Sequence, residues 1–338
     1  MRFNYKYLLI SLAILTFLIS NSSAQQSPSA KKKNYCNPLV IGQPTTKRLS
    51  MVYELQPKYY ASTLFPNSIL PVEYTTNIEM AHSIRLAYAK NLVMKPRFYM
   101  TFNGSYWFSA FNITNPNNNA FARLLSQRYL HSFAASTNMF KPLNNKNFIL
   151  LNISLEVNGN GESLQKLSAD NLLAGGALIY GWKKGLKRMW GIGAFRGYRL
   201  GKVIHVPALL YNNSFNKKWG VDALLPARAN FRYTKSLKTM WLFGYELDGT
   251  QFAIRSSNPL FNNTFFQRGE IRPKIGLEKQ LNKTWAFIMN AGLRLNGRFD
   301  ISSDYAGKKL LTESNPKPAL FVNTGIHLVN FTKKKNKK

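Results

Sequence analysis

Trp285-Ala286-Phe287-Ile288-Met289-Asn290-Ala291-Gly292-Leu293-Arg294-Leu295-Asn296 is the stretch that decides the fold of this chain. Trp285, Phe287, Met289, Ala291, Leu293 and Leu295 share one parity, and Asn290, Gly292, Arg294 and Asn296 share the other. A period of two belongs to a β-strand, whose successive side chains point to opposite faces. Soluble strands average about five or six residues. A run of about ten with one apolar and one polar parity is the unit of a transmembrane β-barrel, with lipid on one face and a polar interior on the other. A secreted β-sandwich also alternates, but strand length and aromatic content favour the barrel.

The pattern recurs along the chain. Ile78, Met80, Ile84, Leu86 and Tyr88 alternate with Asn77, Glu79, Ser83 and Arg85, and His82 is the exception on the apolar parity. Residues 98–108, 149–157, 241–247 and 320–328 repeat it. A turn recurs too. Leu143-Asn144-Asn145-Lys146-Asn147-Phe148, Leu186-Lys187-Arg188-Met189-Trp190, Phe215-Asn216-Lys217-Lys218-Trp219, Leu237-Lys238-Thr239-Met240-Trp241 and Leu281-Asn282-Lys283-Thr284-Trp285 share one plan. Each is a tight polar turn with Lys, followed by an aromatic that opens the next strand. Trp190, Trp219, Trp241 and Trp285 fit the interfacial girdle of a barrel.

If these turns share one end, short and long connections alternate. Short ones are expected near 91–95, 143–147, 183–188, 213–218, 235–239 and 280–284. Long ones are expected near 61–74, 113–128, 158–170, 248–265 and 299–317, with 199–203 and 225–227 as short members of the same end. Pro226 is disfavoured inside a ladder, so Leu224-Leu225-Pro226-Ala227 reads as a turn. The expectation is an all-β, antiparallel transmembrane barrel of about fourteen strands over residues 48–331, both termini on the short-turn side. A continuous strand over 219–233 would leave an odd count, so twelve is the alternative if another segment is misread.

The chain has 338 residues, with 46 Lys+Arg against 14 Asp+Glu and a net charge of +32, a balance that invites a nucleic-acid partner. The N-terminus argues against one. Arg2 and Lys6 precede an apolar run from Leu8 to Ile19, and Ser22-Ser23-Ala24 fits a small-x-small cleavage rule. Residues 1–24 therefore read as a secretory signal peptide, and an exported chain does not meet the genome. Residues 25–47 read as a flexible lead-in and 332–338 as a basic tail. The single Cys36 excludes a disulfide framework, and four scattered His make a metal centre an unpromising reading.

The stretch Gly220-Val221-Asp222-Ala223-Leu224-Leu225-Pro226-Ala227-Arg228-Ala229-Asn230-Phe231-Arg232-Tyr233, followed by Ser236-Leu237-Lys238 and Gly244-Tyr245-Glu246-Leu247, resembles a family of uncharacterised outer-membrane barrels of Bacteroidetes-type bacteria, a domain of unknown function. The resemblance covers roughly 48–331. It implies an outer-membrane barrel and no particular chemistry.

No Gly-x-Ser-x-Gly elbow, His-x-x-x-His pair or calcium loop occurs. Gly191-Ile192-Gly193-Ala194-Phe195-Arg196-Gly197 lies inside a strand with no helix after it, so packing explains it better than phosphate binding. No catalytic residue, metal or cofactor is expected. The interior parity carries a basic set, Arg85, Arg228, Arg232, Arg272, Lys274, Arg294 and Arg298, and acids Glu79, Glu156, Glu246, Glu270 and Glu278. Such a set either lines an anion-preferring pore or fills the lumen as Arg–Glu pairs, the reading favoured because an unpaired buried charge is costly. The expected role is a passive or structural outer-membrane barrel, a narrow pore being one form of it, with membrane lipids as its partners. A barrel enzyme acting on lipid or peptide and a secreted protein binding acidic polymers are the alternatives. Lysines cluster at the short turns, which places surplus positive charge at the periplasmic end.

Overall fold

The computed structural model describes residues 35–44, 47–66, 73–127, 129–199, 201–236 and 238–329, so the expected signal peptide and basic tail lie outside the described residues. The strands are β1 Lys47–Leu64, β2 Glu73–Lys95, β3 Phe98–Thr114, β4 Leu130–Pro142, β5 Asn147–Asn160, β6 Leu172–Lys184, β7 Arg188–Arg199, β8 Lys202–Ser214, β9 Trp219–Leu225, β10 Arg228–Ser236, β11 Thr239–Ile254, β12 Thr264–Gln280, β13 Trp285–Ser302, β14 Leu310–Pro316 and β15 Ala319–Val329. Sequence neighbours pair antiparallel from β1 round to β13. β14 and β15 each pair with β13 on one side and β1 on the other, so they are two halves of one stave. The result is a closed antiparallel barrel of fourteen staves. Both ends of the barrel-forming chain, Lys47 and Val329, pair with each other at the short-turn end.

Three short turns share one device. The Asn144 Oδ1 accepts from the N–H of Lys146 and Asn147, both at 2.8 Å. Asn216 does the same for Lys218 and Trp219, and Asn282 for Thr284 and Trp285. A side-chain amide three residues ahead of the strand thus replaces a backbone acceptor, which is why Asn sits there. The first short turn lies at 96–97 rather than 91–95, because β2 runs on to Lys95.

Along β13 the two parities separate as expected. Met289 and Leu293 are 42% and 44% exposed, whereas Arg294 is 0% exposed, so the apolar parity faces outward. Trp190, Trp219 and Trp285 stand exposed at strand starts beside the short turns, and Trp241 pairs in register with Tyr233 at the same level. Trp182 stacks on Trp190 with ring centroids 4.3 Å apart. This outer apolar surface with an aromatic rim is what a lipid-facing barrel requires. On β1 and β2 the parity switches. Glu54 and Gln56 are buried below the switch, and Tyr59 and Ala61 above it. Glu79, expected inside, is therefore on the outer side, where it pairs with Lys58 at 2.9 Å and accepts from Thr114.

The connection expected at 248–265 is mostly strand. β11 continues to Ile254 and β12 starts at Thr264, and residues 249–254 and 264–270 are buried without alternation. Continuous burial means both faces are covered. Beyond its pairing with β10, upper β11 reaches β5 through a single parallel bridge between Ala253 and Gly159, while upper β12 stays paired with β13. A Cβ on Gly159 would lie 2.0 Å from Ser163 Oγ and 3.1 Å from the Ala253 carbonyl, so this approach needs glycine. Asn158 Nδ2 donates to Thr250 Oγ1, and Asn160 both donates to and accepts from the Arg255 backbone. Likewise β13 extends to Ser302 and β14 fills 310–316, within the span expected as the last long loop.

Candidate functional site

The candidate site is the lumen, and it is filled in three levels. At the long-loop end a helix, α1 Ala120–Gln127, buries Phe121, Ala122, Leu124 and Leu125 on one face. Asn119 caps it by accepting from the Ala122 N–H at 2.7 Å, and ties it to β2 by donating to Thr76. That face packs with Phe111, Phe252, Phe266 and Phe299, and the Phe266 and Phe299 rings meet edge to face at 5.0 Å. This end is an apolar core, closed like the interior of a soluble domain.

Below it lies a belt of charge. Glu270 accepts from Arg268 Nε at 2.8 Å and Arg272 Nε at 2.7 Å, and Arg294 Nη1 stands 3.8 Å away. Arg272 grips Glu54 of β1 through both terminal nitrogens, at 2.8 and 2.9 Å, and lies 2.9 Å from Asp248. Arg85 pairs with Asp248 and stacks 4.5 Å from the Trp107 ring centroid. Arg294 lies 4.1 Å over the Tyr59 ring. Lys274 pairs with Glu246. Bidentate guanidinium–carboxylate geometry is the strongest form of such pairing.

The belt sets the carboxylates of Glu54, Glu246, Asp248 and Glu270 against Arg85, Arg268, Arg272, Arg294 and Lys274, so it is close to neutral. Of the residues expected to line the lumen, Arg85, Arg272, Lys274, Arg294, Glu246 and Glu270 come together here. Three do not. Arg298 sits nearer the long-loop end, on Asp300 at 3.0 Å and the Gly307 carbonyl at 2.9 Å. Arg228 is exposed beside the β9–β10 turn. Arg232 is at the short-turn end. Sequence reasoning missed Glu54, Asp248 and Arg268. Asp248 opens a span expected as a loop, and Glu54 lies before the 61–74 connection, on the first expected strand, whose two parities the sequence reading does not separate. Its alternation, Leu49, Met51, Tyr53 and Leu55 around Ser50, Val52 and Glu54, was the available signal.

At the short-turn end residues 35–44, expected as part of a flexible lead-in, lie across the barrel mouth. Cys36 N–H donates to the Asn144 carbonyl at 3.0 Å and Ile41 N–H to Leu186 at 2.8 Å. Cys36 and Val40 pack with Phe140, Phe148, Ile179 and Met189. Lys183 Nζ donates to the Asn37 carbonyl at 2.5 Å, to Asn37 Oδ1 at 2.7 Å and to the Leu39 carbonyl. Arg232 pairs with Asp222 at 2.6 Å, donates to Ser214 at 2.9 Å and holds the Gly42 carbonyl. Gly42 has φ +78°, and a Cβ there would lie 3.0 Å from the Arg232 guanidinium. The docking is thus specified by two apolar anchors and two basic clamps, and burial pushes the Cys36 thiol pKa up.

Among the described residues no group of three or more His, Cys, Asp or Glu could hold a metal ion. The family described as Domain of unknown function (DUF6268) matches residues 75–329. The chain belongs to this family. No curated protein matches it. Among solved structures, this family member is similar to a Pseudomonas aeruginosa FadL homologue (8% identity, 84% of this chain and 91% of that one, TM-score 0.41). It is also similar to an outer membrane channel from Pseudomonas putida F1 (11% identity, 89% and 99%, TM-score 0.40). A third is the TodX monoaromatic hydrocarbon channel in a mutant form (10% identity, 84% and 91%, TM-score 0.39).

Proposed function

We propose that the protein is an outer-membrane barrel of passive role whose lumen is closed along its axis in this state. The observation that supports this is the series of three fillings: the apolar core around α1, the nearly neutral belt, and residues 35–44 across the short-turn mouth. The interior cations are held by carboxylates or carbonyls of the chain itself, which argues against a ring of free positive charge for passing anions. The test is planar-bilayer recording with the mature chain. The expected result is no steady conductance above the bare bilayer. Ohmic steps of porin size would refute the reading. Sedimentation with outer membranes and heat-modifiable migration on gels test the location.

A second reading, exchange of an apolar molecule with the bilayer through the wall, is favoured by one feature. β9 has seven residues. At about 3.4 Å per residue and about 40° of tilt, the β9–β10 turn stands about 18 Å above Trp219, inside an apolar band about 25 Å tall. Above that turn β8 pairs with β9 only from Leu209 onward, and β10 pairs with β11 only up to Glu246. An apolar groove of about 690 Å³ lies there, lined by outward Ile192, Pro207 and Leu209 and by inward Val206 and Ala208. Lining from both parities means that it wraps over the free strand edge. Pro207 and Pro226 carry no N–H, so neither adds a donor in need of a partner in lipid. Photolabelling by an apolar diazirine probe tests it: crosslinks at inward Val206 support the reading, and crosslinks confined to Ile192 and Leu209 refute it.

A further inference from the structure

The belt does not use every interior carboxylate. Glu54, Asp222, Glu246, Asp248, Glu270, Glu278 and Asp300 each pair with a Lys or Arg. Glu156, on the inward parity of β5, does not. Its carboxylate accepts from Thr250 Oγ1 at 3.2 Å and, more weakly, from Asn158 Nδ2 at 3.4 Å, and no described Lys or Arg pairs with it. Both donors are neutral. In a chain with 46 Lys+Arg and 14 Asp+Glu, leaving an interior carboxylate without a cation is against the odds of composition.

Glu156 borders a cavity of about 250 Å³ between β3 and β7. At about 30 Å³ per water this is room for roughly eight waters. Its floor is hydroxyl-rich, with Ser105, Ser136 and Ser154 beside Asn152, and Phe195 and Tyr198 form part of its wall. Its wall is closely packed at two glycines. A Cβ on Gly175 would lie 2.9 Å from Ser154 Oγ, and one on Gly197 would lie 2.6 Å from the Phe195 ring. Ser105 is exposed within the lumen, so the cavity has water-accessible surface on that side.

We infer that this cavity binds a small organic ammonium ion, with Glu156 as its counter-charge. The carboxylate supplies a full negative charge, the serines accept N–H or O–H donors, and aromatic walls attract alkylammonium groups. A metal ion fits poorly. Calcium takes about six to eight oxygen ligands, commonly with several carboxylates, and this site offers one. Thr250 holds the carboxylate in place, and Asn158 orients Thr250 by donating to its hydroxyl at 2.8 Å. Thr250 belongs to the part of β11 beyond its pairing with β10, so the site depends on upper β11 reaching β5.

The test is isothermal titration calorimetry on the full mature chain in detergent, with ethanolamine hydrochloride and choline chloride as probes and potassium and magnesium chloride as comparators. Saturable heat is expected with at least one ammonium probe, weakened at least tenfold in Glu156→Gln. That variant keeps an oxygen for Thr250, and its folding is checked by heat-modifiable migration. Ser136→Leu fills the cavity without touching the charge and is expected to lose the same heat, so the proposal stays testable if Glu156→Gln misfolds. Undiminished binding by either folded variant overturns it. So does equal binding of potassium or magnesium, or the lack of saturable heat with both ammonium probes in folded wild-type protein.

Discussion

Glu270→Gln is the substitution that isolates the belt. Glu270 is 1% exposed and takes charge-assisted bonds from Arg268 and Arg272, with Arg294 close by. Its removal leaves the three guanidiniums unequally served. Arg272 keeps Glu54 and Asp248. Arg268 keeps the Ser109 hydroxyl and the Trp107 and Phe111 rings, and Arg294 keeps the Lys317 carbonyl and the Tyr59 ring. Removing one member of a buried pair costs about 3–5 kcal/mol, because the partner charge stays buried without compensation. The expected loss is of that size in reversible urea unfolding from lipid vesicles, followed by the heat-modifiable gel shift. Replacing Arg268 by Met in the same chain should recover part of the loss, since the stranded charge goes with it, while Arg268→Met alone should also destabilise. The double-mutant cycle then gives a coupling energy that direct packing changes would not. A Glu270→Gln variant within about 1 kcal/mol of wild type would refute the reasoning, since it would mean that water reaches the belt and screens it.

Other expectations follow from the same geometry. Ile153 faces lipid at mid-depth and Ser154 faces the polar cavity, so Ile153→Arg should cost about 2–4 kcal/mol and Ser154→Arg, beside Glu156, much less; equal effects in a refolding titration would contradict the assignment of faces. For topology, a membrane-impermeant maleimide added to intact cells should label Lys166→Cys, in a long connection, and spare Lys187→Cys, in a short turn; the reverse would invert the barrel and remove the basis for placing the lysine-rich end in the periplasm. Because burial raises its pKa, Cys36 should react slowly in the folded protein near neutral pH and faster as pH rises, with unfolded chain reacting at the ordinary thiol rate. Fast labelling of folded protein would show that residues 35–44 leave the mouth.

Much of the wall was legible in the sequence, because lipid contact imposes the same rule on nearly every strand. The parity of Trp285–Leu295, the Asn-centred turns and the break at Pro226 are local features, and each is fixed by residues within a few positions of one another. These gave the strand count, the shared end of the termini and the inner placement of Arg272, Arg294 and Glu270. The filling of the barrel was not legible in the same way. Residues 35–44 have the composition of a linker, and what holds them are Lys183 and Arg232, far along the chain.

The sequence by itself determined an antiparallel barrel with an apolar outside and a charged inside, since a period of two and a turn chemistry can be read one strand at a time. Only the tertiary structure decided what fills the lumen, that upper β11 reaches β5, and that Arg272 meets Glu54 across 218 positions of chain. The physical reason is that alternation reports which side of a strand is apolar, not what covers it. Where both sides are covered, as at Thr250–Ile254, the alternation vanishes and the segment reads as a loop. Charge pairing adds to this. A carboxylate on one stave can reach a guanidinium on several others, and which one it meets is set by strand register and tilt, quantities that belong to the closed barrel and to no single strand.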